Sequence, residues 1–196
     1  MAHTDNNLPL SALLAALVVA GKSDIRFYLN SVRIETDRDG NAIIVGCNGH
    51  CLLAINTACP WKLPALTIPR DVVEQLGKLK PTWVEFGTDG TVFTATAGGS
   101  KLTFADAGGT YPDWQQAVPR NTTPGGAAIA VEYMLAAANV CKALKPELSK
   151  RPQINVSANG EATAFTMSFG ELQDNSPVTN TMLVVMPMRG YKAPAL

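Results

Sequence analysis

A helix followed by a three-stranded meander recurs along this chain, and that recurrence limits the possible folds more than any other feature of the sequence. The first helix is expected over Leu8–Ala20, where Leu10, Leu13, Leu14, Leu17 and Val18 fall at helical spacing, Pro9 suits the first turn and Gly21 the stop. Alternation over Ile25–Glu35, the turn Asp37-Arg38-Asp39-Gly40 and the run Ala42–Gly46 predict a hairpin, and Asn48-Gly49 turns the chain into a third strand over Cys51–Ile55. The second unit starts with a short leading strand, Leu66–Ile68. Pro69-Arg70-Asp71 opens its helix, with Val72, Val73, Leu76 and Leu79 at the apolar positions. Its meander runs through Trp83–Phe86, Thr91–Ala95 and Lys101–Asp106, turning at Asp89-Gly90 and Gly98-Gly99. The third unit repeats the order: a leading strand Ala127–Val131, a helix Glu132–Leu144, and strands Gln153–Ala158, Ala164–Phe169 and Met182–Met186. Three units of roughly 65 residues predict an α+β fold with helices on one face of the sheets. The polar residues Met1–Asn7 leave the first unit without a leading strand. Of the Pro- and Gly-bearing runs between units, Cys59–Pro64 and Val118–Gly126, the second is the better boundary and divides the chain into 1–118 and 119–196.

Charge and cysteine content narrow the functional classes. Sixteen basic residues balance sixteen acidic ones, so any contact with nucleic acid has to come from a local cluster of Lys and Arg. Four cysteines, two of them in a turn region and one in an expected helix, do not make the dense framework of a small secreted domain, and a reducing cytoplasm is the expected location. The apolar stretch Leu8–Ala20 has signal-peptide length. It is preceded by His3 and Asp5 without Lys or Arg and is too short to span a bilayer, so a buried helix is expected there and no membrane association.

Catalytic signatures are sparse. Cys47, His50, Cys51 and Cys59 form C-x2-H-C-x7-C, which admits a metal site or a thiol enzyme as a weak alternative. The spacing lacks a two-residue Cys knuckle, and His50 and Cys51 are strand neighbours that face apart, so neither metal nor cofactor is expected. No Gly-rich phosphate loop or Gly-x-Ser-x-Gly elbow is present, and Asp37 and Asp39 belong to a turn that favours Asp for its local hydrogen bonds. Trp61, between Pro60 and Pro64, reads as a lid on the first unit's core, and Tyr111 and Trp114 as side chains packed across the domain boundary. The run Met182–Gly190, MLVVMPMRG, is more suggestive. Met186 and Met188 lie two apart and share a side of an extended chain, Pro187 marks a strand end, and thioethers beside Val184 and Val185 make an adaptable apolar patch; a last core strand is the plainer reading.

Five strings in order carry a family resemblance: Arg26-Phe27-Tyr28-Leu29-Asn30, Asn48-Gly49-His50-Cys51-Leu52, Thr67-Ile68-Pro69-Arg70, the segment from Tyr111-Pro112-Asp113-Trp114 to Val118-Pro119-Arg120-Asn121, and Val184-Val185-Met186-Pro187-Met188-Arg189. Together they resemble the bacterial sliding clamp, the beta subunit of DNA polymerase III, and its phage-encoded relatives, with the chain corresponding to the middle domain and the second half of the last. The resemblance implies a DNA-clamp-like ring with sheets outside and helices lining a hole for duplex DNA. It further implies a non-catalytic processivity factor that tethers a polymerase or other proteins bearing clamp-binding motifs. A peptide pocket is implied at Leu29, Gly49, His50, Leu52, Pro119, Val184, Met186, Pro187, Met188 and Arg189. DNA-facing positions are expected at Lys22, Arg70, Lys78, Lys80, Lys142, Lys145, Lys150 and Arg151, where each cation could equally be a solvated helix cap.

Two departures bear on these expectations. The family's Gly-His-Arg string reads Gly49-His50-Cys51, which removes one cation from the pocket edge. A full-length relative has six units per chain and closes as a dimer of twelve, so this chain reaches twelve only as a homotetramer. An interaction protein that binds clamp partners without encircling DNA, as a competitor of a host clamp, is the alternative. The tail Tyr191–Leu196 extends past the family's usual end.

Overall fold

The computed structural model describes residues 4–119, 129–157 and 164–187, with the side chains of Lys150, Arg151 and Pro152 outside that description. Three helices, α1 (Leu10–Val19), α2 (Arg70–Leu79) and α3 (Val131–Ala143), each precede a meander. The meanders are β2 (Ser31–Thr36), β3 (Asn41–Cys47) and β4 (Cys51–Pro60); β6 (Trp83–Thr88), β7 (Phe93–Ala97) and β8 (Ser100–Phe104); and β9 (Leu148–Ser157), β10 (Phe165–Leu172) and β11 (Val178–Val185). Two leading strands, β1 (Asn7–Pro9) and β5 (Leu66–Pro69), precede α1 and α2.

The strands form two antiparallel sheets, ordered β1-β6-β7-β8 and β5-β2-β3-β4-β11-β10-β9. The first two units exchange their leading strands: β1 of the first unit extends the second unit's meander at β6, and β5 of the second extends the first unit's meander at β2. The third unit joins through β11, which pairs with β4 from Val178 opposite Thr57 to Val185 opposite Cys51, so one sheet runs from the first unit into the third.

The expected repeat is present, and three local assignments change. A leading strand does occur in the first unit, because Asn7, Leu8 and Pro9 stand opposite Glu85, Val84 and Trp83 on the edge of β6, where Leu8 and Pro9 are buried. Ile25–Asn30 is not strand. Asp24 and Asn30 bind local backbone, with Asn30 Nδ2 donating to Asp24 O (2.9 Å) and Asp24 Oδ1 accepting from Arg26 N (2.8 Å), and a short 3-10 helix forms over Phe27–Asn30. In the third unit Ile129 and Ala130 are in no strand and Val131 opens α3, while Ala127 and the following residue lie outside the described residues.

Alternation along the strands sends side chains to two cores. Val32, Ile34, Ile44, Leu53, Ile55, Met167, Phe169, Leu183 and Val185 meet the helices. Ile43, Val45, Leu52, Ala54 and Val184 point to the other face, where Tyr111 and Trp114 cover them. Helix α1 is apolar nearly all round, as suits a helix enclosed by α2, α3 and the sheet. Trp61 is buried edge-to-face on Phe86 and so bridges the first two units rather than capping one.

A buried carboxylate fixes the third unit to α1. Glu147 Oε1 accepts from Ser11 Oγ (2.7 Å) and Oε2 from Ser176 Oγ (2.8 Å). Glu147→Ala removes the carboxylate that accepts from both half-buried serine hydroxyls, so stability should fall by about 1–3 kcal/mol. Urea unfolding measures it; an unchanged midpoint would show that the serines find water instead.

Candidate functional site

The seam between β4 and β11 gathers most of the expected pocket residues. Leu52 lies opposite Val184 across the ladder and opposite Cys47 across the hairpin, and all three are buried in the outer cluster with Leu29. Leu29 reaches that cluster because the 3-10 turn Phe27–Asn30 folds it inward, whereas a continued strand would have carried it along the sheet edge. Beyond the end of β11, Met186 N donates to His50 O (3.0 Å), which holds Met186 beside the Asn48–Cys51 turn. Met186 is 47% exposed and Pro187 partly so. Val118 packs on the cluster and places Pro119, partly buried, at its border. Met188 and Arg189 lie outside the described residues.

The turn itself is tightly specified. Gly49 sits at φ +86°, and a Cβ there would stand 2.8 Å from Arg26 Nη2, so the position takes only glycine without rearrangement. Asn48 Oδ1 accepts from His50 N (2.9 Å) and Cys51 N (2.8 Å), leaving the His50 side chain exposed. Arg26 thus supplies a cation at this edge even though residue 51 is cysteine. Its Nε and Nη2 donate to Asp24 Oδ1 (2.9 Å) and Oδ2 (2.7 Å), and the guanidinium holds the Asp24 carboxyl down at about 2. Arg26 was quoted in the sequence only as part of a string. Its placement against Gly49 depends on a fold-back that no local pattern announces.

Two aromatic residues also belong to this face. Trp114 Nε1 donates to Glu35 Oε2 (3.1 Å), and Asp113 Oδ1 accepts from Gln115 N (3.2 Å) to cap the short 3-10 helix Trp114–Ala117. The Tyr111 hydroxyl is buried without a hydrogen-bond partner among the described residues, and burial drives its pKa far above the ordinary phenol value, so it remains a donor at any working pH.

The thiols are poorly placed for chemistry. Burial pushes Cys51 up to about 12 and Cys59 up to about 11, and Cys47 is also raised, its Sγ accepting from Gly49 N (3.3 Å). At neutral pH they are protonated and enclosed, the opposite of an activated nucleophile. Among the described residues no three His, Cys, Asp or Glu side chains converge to hold a metal ion.

The helix layer carries the expected cations unevenly. Lys22, Lys78, Lys80, Lys142 and Lys145 are exposed, and the side chains of Lys150 and Arg151 are not among those described. Arg70 is occupied differently: Nη2 donates to Leu17 O (3.2 Å), Ala20 O (2.9 Å) and Gly21 O (2.8 Å), and Nε to Gly21 O (3.1 Å), so it caps the open C-terminus of α1. Lys22 and Lys142 border the same groove of about 570 Å³ between α1 and α3. Among the described residues no helix is long and apolar enough to cross a membrane.

No family model matches the chain, and no curated protein matches it in sequence. Solved structures do match it. DNA polymerase III subunit beta from Borrelia burgdorferi is similar at a TM-score of 0.73 and 14% identity, over 94% of this chain and 64% of that one. The Helicobacter pylori beta clamp gives 0.73 at 12% identity over 95% and 65%, and the beta subunit from Pseudomonas aeruginosa 0.71 at 17% over 93% and 66%. This chain therefore spans slightly less than two thirds of the length of each. Over nearly the whole of its length the chain has the fold of the DNA polymerase III beta sliding clamps.

Proposed function

We propose that the chain is a non-catalytic, sliding-clamp-like processivity factor in the cytoplasm. Its outer face at the β4–β11 seam binds short peptides of a DNA polymerase or other replication partners, and its helix layer faces duplex DNA. The supporting observation is the seam itself. One ladder brings Leu52 and Val184 together, with Leu29 beside them, in a buried apolar cluster that residues far apart in sequence build; Met186 is exposed at its rim and Arg26 places a cation over Gly49. Residues 1–118 and 119–196 would be its two domains. Toward DNA, Lys22, Lys78, Lys80, Lys142 and Lys145 supply exposed charge without a tight grip, which suits a protein that must slide.

Anisotropy of a labelled Gln-Leu-x-Leu-Phe peptide tests the binding surface. Burying one Leu and one Phe yields roughly 3–6 kcal/mol gross, and ordering the peptide offsets part of it, so Kd should be on the order of micromolar. Met186→Asp places a charge at the rim and should weaken binding at least about tenfold, while the melting temperature stays near that of the parent because Met186 is already half exposed. Absence of saturable binding by the folded protein would refute the peptide-binding role.

A further inference from the structure

The third unit carries an apolar surface that the first two units cover in each other. Position by position, the helices show the difference. The fourth residues of α1 and α2, Leu13 and Val73, are fully buried, whereas the fourth residue of α3, Met134, is 49% exposed. The fifth residue of α1, Leu14, packs partly buried on α2, and its counterpart Leu135 is 62% exposed. The strands repeat the pattern. Val32 and Ile34 of β2, and Val84 and Phe86 of β6, are buried on the face toward the helices. On β9 the corresponding side chains are Ile154, opposite Phe169, and Val156, opposite Met167, and Val156 is 52% exposed. Partners opposite each other across an antiparallel ladder share a face, so Ile154 and Val156 lie on the helix side with the buried Phe169 and Met167. The outer edge of β9 has no partner among the described residues, whereas β2 and β6 are each flanked by a strand from the other unit.

The contact between α1 and α2 indicates what would cover such a surface. A Cβ added to Gly77, the eighth residue of α2, would come within 3.1 Å of Leu14 Cδ2 on α1, so a small residue on one helix receives a leucine from the other. Helix α3 carries both halves of that arrangement, Leu135 at its fifth position and Ala138 at its eighth. We infer that the third units of two copies of this chain pair about a two-fold axis, Leu135 of each seated on Ala138 of the other and Ile154 and Val156 covered in the process. Self-complementarity of this kind is what an isologous interface requires. The first two units supply the template within the same chain, and no other partner class is needed to explain why the exposed apolar side chains of α3 and β9 fall at positions that are buried elsewhere. Two chains joined in this way carry six helix-and-meander units. The pairing is independent of the peptide surface at the seam, which lies on the opposite face of the sheet.

Sedimentation equilibrium of the full chain from about 1 to 100 µM tests it. Species with even numbers of chains are expected, and Leu135→Glu and Val156→Lys should each raise the concentration needed for association at least about tenfold. Because Leu135 and Val156 are exposed in the single chain, both variants should retain the parent's circular dichroism. Ala138→Phe, at an exposed helix position, provides the second route, blocking the seat for leucine without touching the core. A monomer throughout the range, an odd-numbered assembly, or association that survives Leu135→Glu and Ala138→Phe would overturn the inference. Peptide binding by the same samples remains a separate readout, so loss of one result does not entail loss of the other.

Discussion

Gly46→Ala should lower the stability of this protein more than most substitutions at exposed sites, by about 3 kcal/mol or more, at or beyond the upper end of ordinary overpacking. Gly46 lies in the interior strand β3, opposite Val32 on one side and Leu53 on the other. A Cβ there would stand 1.9 Å from Ala16 O and 2.7 Å from Ala16 C, both backbone atoms of α1. Backbone cannot rotate out of the way as a side chain can, so either the helix lifts or the strand bends. The fit follows from composition: Ala12, Ala15 and Ala16 form a fully buried small-residue face that lets α1 settle onto the sheet. Lifting α1 would also loosen its contacts with α2 and α3, so the damage would spread through the core. In a chain of this size each kcal/mol is about 2–4 °C in melting temperature, which predicts a drop of roughly 6–12 °C. A melting temperature unchanged by the substitution would mean that α1 does not rest on β3 as described.

Trp114→Ala is the second large effect, about 3–5 kcal/mol, the range for deleting a buried aromatic side chain. Trp114 closes the outer face over a cluster that includes Leu29, Val45, Leu52 and Val184, the floor of the proposed peptide surface. Trp114→Phe retains a ring and sacrifices chiefly the hydrogen bond to Glu35, which costs about 1 kcal/mol. The pair of variants separates packing from hydrogen bonding. If both lose the same stability in urea, the 111–118 segment does not depend on the indole's bulk and the account of the outer core fails.

Elements with a strong period were legible in the sequence. The leucines of α1, the apolar positions of α2 and the meander turns at Gly40, Gly49, Gly90, Gly98 and Gly99, all at positive φ, fell where their local chemistry placed them. Contacts made across long stretches of chain were not legible. β1 is a strand because β6 offers it an edge, and nothing in Asn7-Leu8-Pro9 signals that. Ile25–Asn30 alternates like a strand, yet Asp24 and Asn30 satisfy the backbone locally and tip Leu29 inward. Arg70 reads as one more cation on a helix and proves to be a cap for a different helix, with all its carbonyl partners about fifty residues earlier in the chain. At the candidate site, Leu52, Val184 and Met186 were accessible through the resemblance. Arg26 was not, because its role arises from a spatial neighbour, Gly49, and from the carboxylate of Asp24 that orients it.

The ladder between β4 and β11 also decides how the molecule comes apart. Apolar side chains fill both faces of the sheet at that seam, and on the helix side one core runs without a break from α2 through α1 to α3. A boundary with nothing but linker would let two bodies melt independently, each with its own transition. Here the loss of β11 would expose Leu53 and Ile55 on one face and Leu52 and Ala54 on the other, so the third unit and the first should melt cooperatively, in one step. Heat-absorption traces with a single peak, the same for probes in either part of the chain, are the signature of that coupling.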